Sequence, residues 1–98
     1  MKYEKGMVFE NTITGDHLII TQVLPQERSY IGGLLYTNKK QDGTKVLLPA
    51  HYVEESSKST KLKISETQLD RTGKLLGKRG EEGVPEFVFP VHCGPAEV

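Results

Sequence analysis

His17-Leu18-Ile19-Ile20-Thr21-Gln22-Val23-Leu24 is the stretch on which the fold turns. It is rich in β-branched side chains, and Leu18, Ile19 and Ile20 put apolar groups on both faces of an extended chain. A strand with two apolar faces suits a closed or sandwiched sheet. Pro25 ends it, because proline has no N–H to offer a ladder. Upstream, Asn11-Thr12-Ile13-Thr14-Gly15-Asp16 has the residues of a hairpin loop, which tolerate positive φ or bond to their own backbone, so residues 7–10 read as a first strand. Downstream, residues 29–37 form a third strand carrying Tyr30, Ile31, Leu34, Leu35 and Tyr36. Gly32 and Gly33 in its middle predict a bulge, a sharp bend or a close backbone approach. Asn38-Lys39-Lys40-Gln41-Asp42-Gly43 is a turn with Asp-Gly as its strongest signal, and residues 44–48 make a fourth strand. Pro49, well suited to the first position of a helix, predicts a single helical turn over residues 49–52.

The rest of the chain is charged. Its 98 residues allow one domain, and with 36% apolar and 27% charged residues the core must be small, which argues against a large catalytic fold. A lone Cys93 excludes an intramolecular disulfide framework, and no apolar run approaches the roughly 20 residues of a membrane span. The start of the chain lacks the apolar run of a secretory signal, so a soluble protein of a reducing compartment, the cytoplasm, is expected. Formal net charge is zero, but unevenly laid out. Residues 1–56 sum to minus one, residues 57–80 to plus five and residues 81–98 to minus four. Within the basic segment, Lys61-Leu62-Lys63-Ile64 alternates as a strand with one exposed basic face. Ser65-Glu66-Thr67-Gln68 reads as a capping box opening a helix toward Leu76, although Gly73 counts against a long one. Glu86-Phe87-Val88-Phe89-Pro90-Val91 suits an edge strand or an arm laid on the core, since Pro90 excludes a central strand position.

The order of short strands, the Asp-Gly turn before the fourth and the sequence Lys45-Val46-Leu47-Leu48-Pro49-Ala50-His51-Tyr52-Val53 together resemble the Src-homology-three-like small barrels. In that family a similar stretch closes the barrel: two apolar residues, Pro, two variable residues, then Tyr-Val. Lys5-Gly6-Met7-Val8-Phe9 is similar, more weakly, to an earlier strand there. The resemblance covers residues 5–56. It implies an all-β, mainly antiparallel barrel over residues 1–56, with residues 57–98 as a charged C-terminal extension holding a short strand or helix and an arm on the barrel. It carries over only Pro49 and Tyr52 as groove residues; the Trp of the family's proline-rich-peptide binders is absent.

Side chains capable of chemistry are sparse. His17, His51, His92 and Cys93 lack the close pairing of zinc ligands, and His92 and Cys93, being adjacent, would point to opposite faces of an extended segment. No metal and no cofactor are therefore expected. Cys93 sits in a Gly-Pro-rich stretch ill suited to holding a nucleophile. The glycines of Gly77-Lys78-Arg79-Gly80 do not match a phosphate-cradling loop. The reading that follows is a non-enzymatic interaction protein, a bacterial or phage accessory, inhibitor or virion protein acting on a protein partner in the cytoplasm or the virion. Its contact residues would be Tyr30, Tyr36, Pro49, Tyr52, Phe87 and Phe89. Packing of Phe87 and Phe89 on a second copy would make it a homodimer. The alternative is a nucleic-acid-binding regulator using Lys39, Lys40, Lys58, Lys61, Lys63, Arg71, Lys74, Lys78 and Arg79. No aromatic lies within residues 57–80, so such binding would be blind to sequence. No membrane partner is expected.

Overall fold

The structure, a computed structural model, describes residues 1–50 and 61–88. Among the described residues, seven strands and one α-helix follow in order: β1 (Met7–Asn11), β2 (His17–Leu24), a 3-10 turn (Pro25–Glu27), β3 (Ser29–Lys39), β4 (Lys45–Pro49), β5 (Lys61–Ser65), α1 (Glu66–Thr72), β6 (Gly73–Lys78) and β7 (Glu86–Phe87). They build one sheet in the order β6-β1-β2-β3-β4-β7, with β5 also paired to β3. All pairings are antiparallel except β4 with β7, and the sheet curls into a half-barrel. The fold is all-β. Among the described residues, no helix is long and apolar enough to cross a membrane.

Local chemistry accounts for the first hairpins. The Asn11 side-chain oxygen accepts from the amides of Ile13 and Thr14, bending the chain between β1 and β2. At the next hairpin the Asp42 carboxylate accepts from the Thr44 amide, and Gly43 takes φ +91°, a left-handed value that costs a glycine little. The Gly32-Gly33 pair lies at the bend of β3. Residues 29–33 of β3 pair with β5 and residues 35–39 with β4, so the outer edge of the strand changes hands just after the glycines. Opposite them, Thr21 is an extra residue in β2, and its hydroxyl bonds to the Ile31 carbonyl. A Cβ at Gly32 would come 3.1 Å from Leu18, so the close approach is real.

Because neighbouring residues on a strand face opposite ways, adjacent apolar pairs feed two separate cores. Phe9, Ile20, Tyr30 and Leu69 form one, with Tyr3, Met7, Leu18, Val23 and Ile64 against it. Val8, Leu35 and Leu47 form the other, with Ile19, Leu76, Val84 and Phe87. Both faces of β2 are thus covered, as its sequence requires.

The charged extension expected from residue 57 takes part in the sheet over residues 61–78. It contains β5, α1 and β6, and both strands are hydrogen-bonded into the sheet, β5 to β3 and β6 to β1. Its basic alternation leaves Leu62 and Ile64 half-buried while Lys61 and Lys63 stay in water, and that half-burial is enough to hold a strand. The cap at Ser65 forms, its hydroxyl accepting from the Gln68 amide at 3.1 Å. The helix stops at Gly73 rather than reaching Leu76, because the chain turns extended there and β6 begins. Pro49 closes β4 opposite Leu35; of the helical turn expected over residues 49–52, residues 51 and 52 lie outside the described residues.

Candidate partner-binding surface

Beyond β6 the chain doubles back through residues 79–85 and rejoins the sheet beside β4. The Lys78 amide donates to Glu81 Oε1 at 2.8 Å, the Glu81 amide to the Lys78 carbonyl, and the Val84 amide to the Glu81 carbonyl. Gly77 permits this fold-back: it holds φ +134°, and a Cβ there would stand 2.9 Å from Glu81 Oε1 and 3.2 Å from Val84. The returning segment is then pinned by β7, which lies parallel to β4 with Leu47 opposite Phe87, and by the Val88 amide on the Leu47 carbonyl at 2.9 Å.

Phe87 therefore faces the core of Val8, Leu35 and Leu47 while remaining half-exposed. The Arg79 guanidinium lies over its ring, 4.6 Å from the centroid. Arg79, Gly80, Glu81, Val84, Pro85, Glu86 and Phe87 line an open depression of about 360 Å³. Lys40 on the β3–β4 turn reaches Glu86 Oε1 at 2.9 Å and ties that turn to the rim; the carboxylate beside it holds the Lys40 ammonium above the usual lysine value. This surface presents a cation over an aromatic face with two carboxylates near it, in a depression that is open among the described residues.

The other expected contact residues do not gather here. Tyr30 is fully buried, its hydroxyl donating to Glu66 Oε2 at 2.7 Å, so its ring belongs to the core and not to a surface. Pro49 is also buried. Tyr36 is 40% exposed, beyond the Gly32-Gly33 bend that separates it from Tyr30. Tyr52 and Phe89 lie outside the described residues, as do His51, His92 and Cys93.

The basic residues proposed for nucleic acid are dispersed in the same way. Lys63 pairs with Glu27, Lys78 with Glu4 at 2.6 Å and Lys40 with Glu86, while Arg79 sits on Phe87. The Lys78 ammonium in turn holds the Glu4 carboxyl below its ordinary range. Lys74 stands opposite Glu10 across the β1–β6 ladder. Lys61 and Lys63 border β3, whereas Lys74 and Lys78 border β1, so the segment does not form one stripe along one strand. Lys39 and Arg71 are exposed, and Lys58 lies outside the described residues.

Two ionisable groups, His17 and Glu66, are buried among the described residues, a burial that neither the metal reading of His17 nor the capping-box reading of Glu66 anticipates. His17 is 2% exposed, and its Nδ1 has no hydrogen-bond partner among the described residues; burial pushes the imidazole below its ordinary value, with Glu10 opposing the shift and Lys45 adding to it. Glu66 is 8% exposed and accepts from the Lys2 amide, the Tyr30 hydroxyl and Arg28, which together hold its carboxyl below the usual range. The Arg79 contact was hidden for a plain reason. Arg79 and Phe87 are separated by a turn whose path depends on where the sheet receives Phe87. Comparison with known protein families, with curated proteins and with solved structures found no match to this chain.

Proposed function

We propose that this chain is a non-enzymatic interaction protein that receives a protein partner on the face centred on Phe87 and Arg79. The observation that carries the reading is the open depression where a guanidinium covers a half-buried aromatic ring. Arginine and large aromatics are enriched among the residues that dominate protein contacts, aromatics because they bury much area with few rotors and arginine because its planar guanidinium stacks on rings while donating hydrogen bonds. The proposal extends to origin and ancestry: a cytoplasmic or virion-associated accessory of bacterial or phage type, on a half-barrel of Src-homology-three-like descent. What supports the descent is the strand order of residues 7–49 and the closing stretch that begins at Lys45.

Nucleic-acid binding is the second reading, and one observation favours it. Lys39 and Lys45 stand directly opposite each other on β3 and β4, a like-charged pair that an anion would relieve. It ranks second because Lys40, Lys63 and Lys78 are already engaged by carboxylates of the same chain.

Affinity capture from the native host with the full chain, beside Arg79→Glu and Lys39→Glu variants, separates the two. A protein captured by the parent and lost with Arg79→Glu supports the leading reading. Nucleic acid lost with Lys39→Glu overturns it in favour of the second, and capture of neither overturns both. Sedimentation of the purified chain tests whether the partner is a second copy.

A further inference from the structure

Residues 1–5 precede β1 and lie across the other side of the molecule, over the core that α1 closes. Their placement is specific. The Lys2 amide donates to Glu66 Oε2 at 2.8 Å and the Tyr3 amide to the Tyr30 hydroxyl at 3.0 Å. The Lys2 ammonium reaches Asp70 Oδ2 at 2.9 Å, and the Tyr3 hydroxyl donates to the other oxygen of the same carboxylate. The Tyr3 ring meets Phe9 edge-on at 4.8 Å and lies tilted 5.8 Å from Tyr30. Two successive residues are therefore read by both backbone N–H groups and both side-chain tips, in one chain direction.

The groove that does this is made by elements far from residues 2 and 3 in sequence: Phe9 of β1, Tyr30 of β3, Glu66 and Asp70 of α1. Glu66 is also held from outside the strap by Arg28 at 2.9 Å, so the carboxylate stays oriented whether or not Lys2 is in place. The strap joins the sheet at Gly6, where φ is +95° and the backbone is fixed, its amide donating to the Ile20 carbonyl and its carbonyl accepting from the Arg79 amide, so release of residues 2 and 3 leaves the chain anchored from Gly6 onward. The contacts that hold residues 2 and 3 are ones any segment of the same chemistry could make.

We propose that this groove is a recognition site for peptide segments in which a basic residue precedes an aromatic one carrying a hydroxyl, and that Lys2-Tyr3 occupies it in cis as an intramolecular competitor. Asp70 reads the cation and the hydroxyl, Glu66 and Tyr30 read the two amides, and Phe9 and Tyr30 take the ring. The site is separate from the Phe87 face and does not depend on it. Because the strap is tethered, its effective concentration is high, and an outside peptide sees only the fraction of molecules in which the strap is released.

The test uses the full chain with Tyr3→Ala and the acetylated, amidated peptide Met-Lys-Tyr-Glu-Lys, followed by amide chemical shifts. The peptide should bind Tyr3→Ala about tenfold more tightly than the parent, as expected when a competitor is removed, and shift Phe9, Tyr30, Leu69 and Asp70. Adding Asp70→Asn, or replacing the peptide tyrosine by alanine, should weaken binding by about the same factor. A folded Tyr3→Ala variant with no saturable shift at these amides in millimolar peptide overturns the proposal, as does equal binding by variant and parent. If Tyr3→Ala proves unfolded, millimolar peptide must restore a folded population with dispersed amide shifts; failure to do so also overturns it.

Discussion

The two faces of the sheet are buried by different means. One is closed by regular elements: α1 brings Leu69, β5 brings Ile64, and the strap brings Tyr3 onto Phe9, Ile20 and Tyr30, with Glu66 tying strap, strand and helix together. The other is closed by a returning segment with two residues of strand, whose Val84 and Phe87 cover Val8, Leu35 and Leu47. The first face seals Phe9 and Tyr30 and satisfies its buried carboxylate. On the second, Phe87 stays half-exposed beside a cleft, and His17 is buried with an unanswered nitrogen among the described residues.

If the contrast holds, the largest effect comes from the sealed face. Phe9→Ala should cost about 3–5 kcal/mol, the range for deleting a fully buried ring, against about 1–2 kcal/mol for half-buried Phe87→Ala, both read from denaturant midpoints at constant m. Equal losses would mean that the two faces are equivalent. Next, Tyr30→Phe should cost about 1–3 kcal/mol, because it removes the donor to Glu66 and the acceptor of the Tyr3 amide while leaving the ring in place. Amide exchange at Tyr3 should speed up at the same time.

A smaller effect belongs to His17. Its folded-state value lies below the ordinary 6.5, so the unfolded chain takes up a proton first as pH falls. The stability it contributes is complete above that pH and declines as pH drops from 6.5 toward the folded value, with a slope of at most about 1.4 kcal/mol per pH unit. His17→Gln should remove that part of the slope; an unchanged profile would show that the buried nitrogen is answered. Smallest of all, Lys63→Ala should leave the thermal transition unmoved, because its pair with Glu27 lies in water, where attraction and side-chain entropy nearly cancel.

Much of this architecture is legible residue by residue. The span 17–24 reads as a strand with two apolar faces and is one; Asn11 and Asp42 announce their turns, Ser65 its cap, and Gly32-Gly33 the bend. The candidate site is less legible. Phe87 stands out as an apolar residue in an acidic stretch, but Arg79 reads only as one more charge in a basic segment, and Tyr30 reads as well for a surface as for a core.

The line between the two kinds of information follows the range of the interactions. Period-two alternation, turn chemistry and capping act within a few residues, so the sequence by itself determined that this protein is all-β and where β1 to β5 lie, but not that the chain after the Ser65-capped helix becomes the strand β6. Alternation says that a strand has a buried side, not what lies on it. That β6 returns to β1 from more than sixty residues away, that β5 takes the first half of β3 and β4 the second, and that Lys40, Lys63 and Lys78 meet carboxylates of other elements were decided only when the sheet closed, because long-range partners are chosen by how whole elements pack together. The same closure decides that Phe87 comes to rest under Arg79 and Tyr3 between Phe9 and Tyr30, since each pair is brought together by elements that share no local signal.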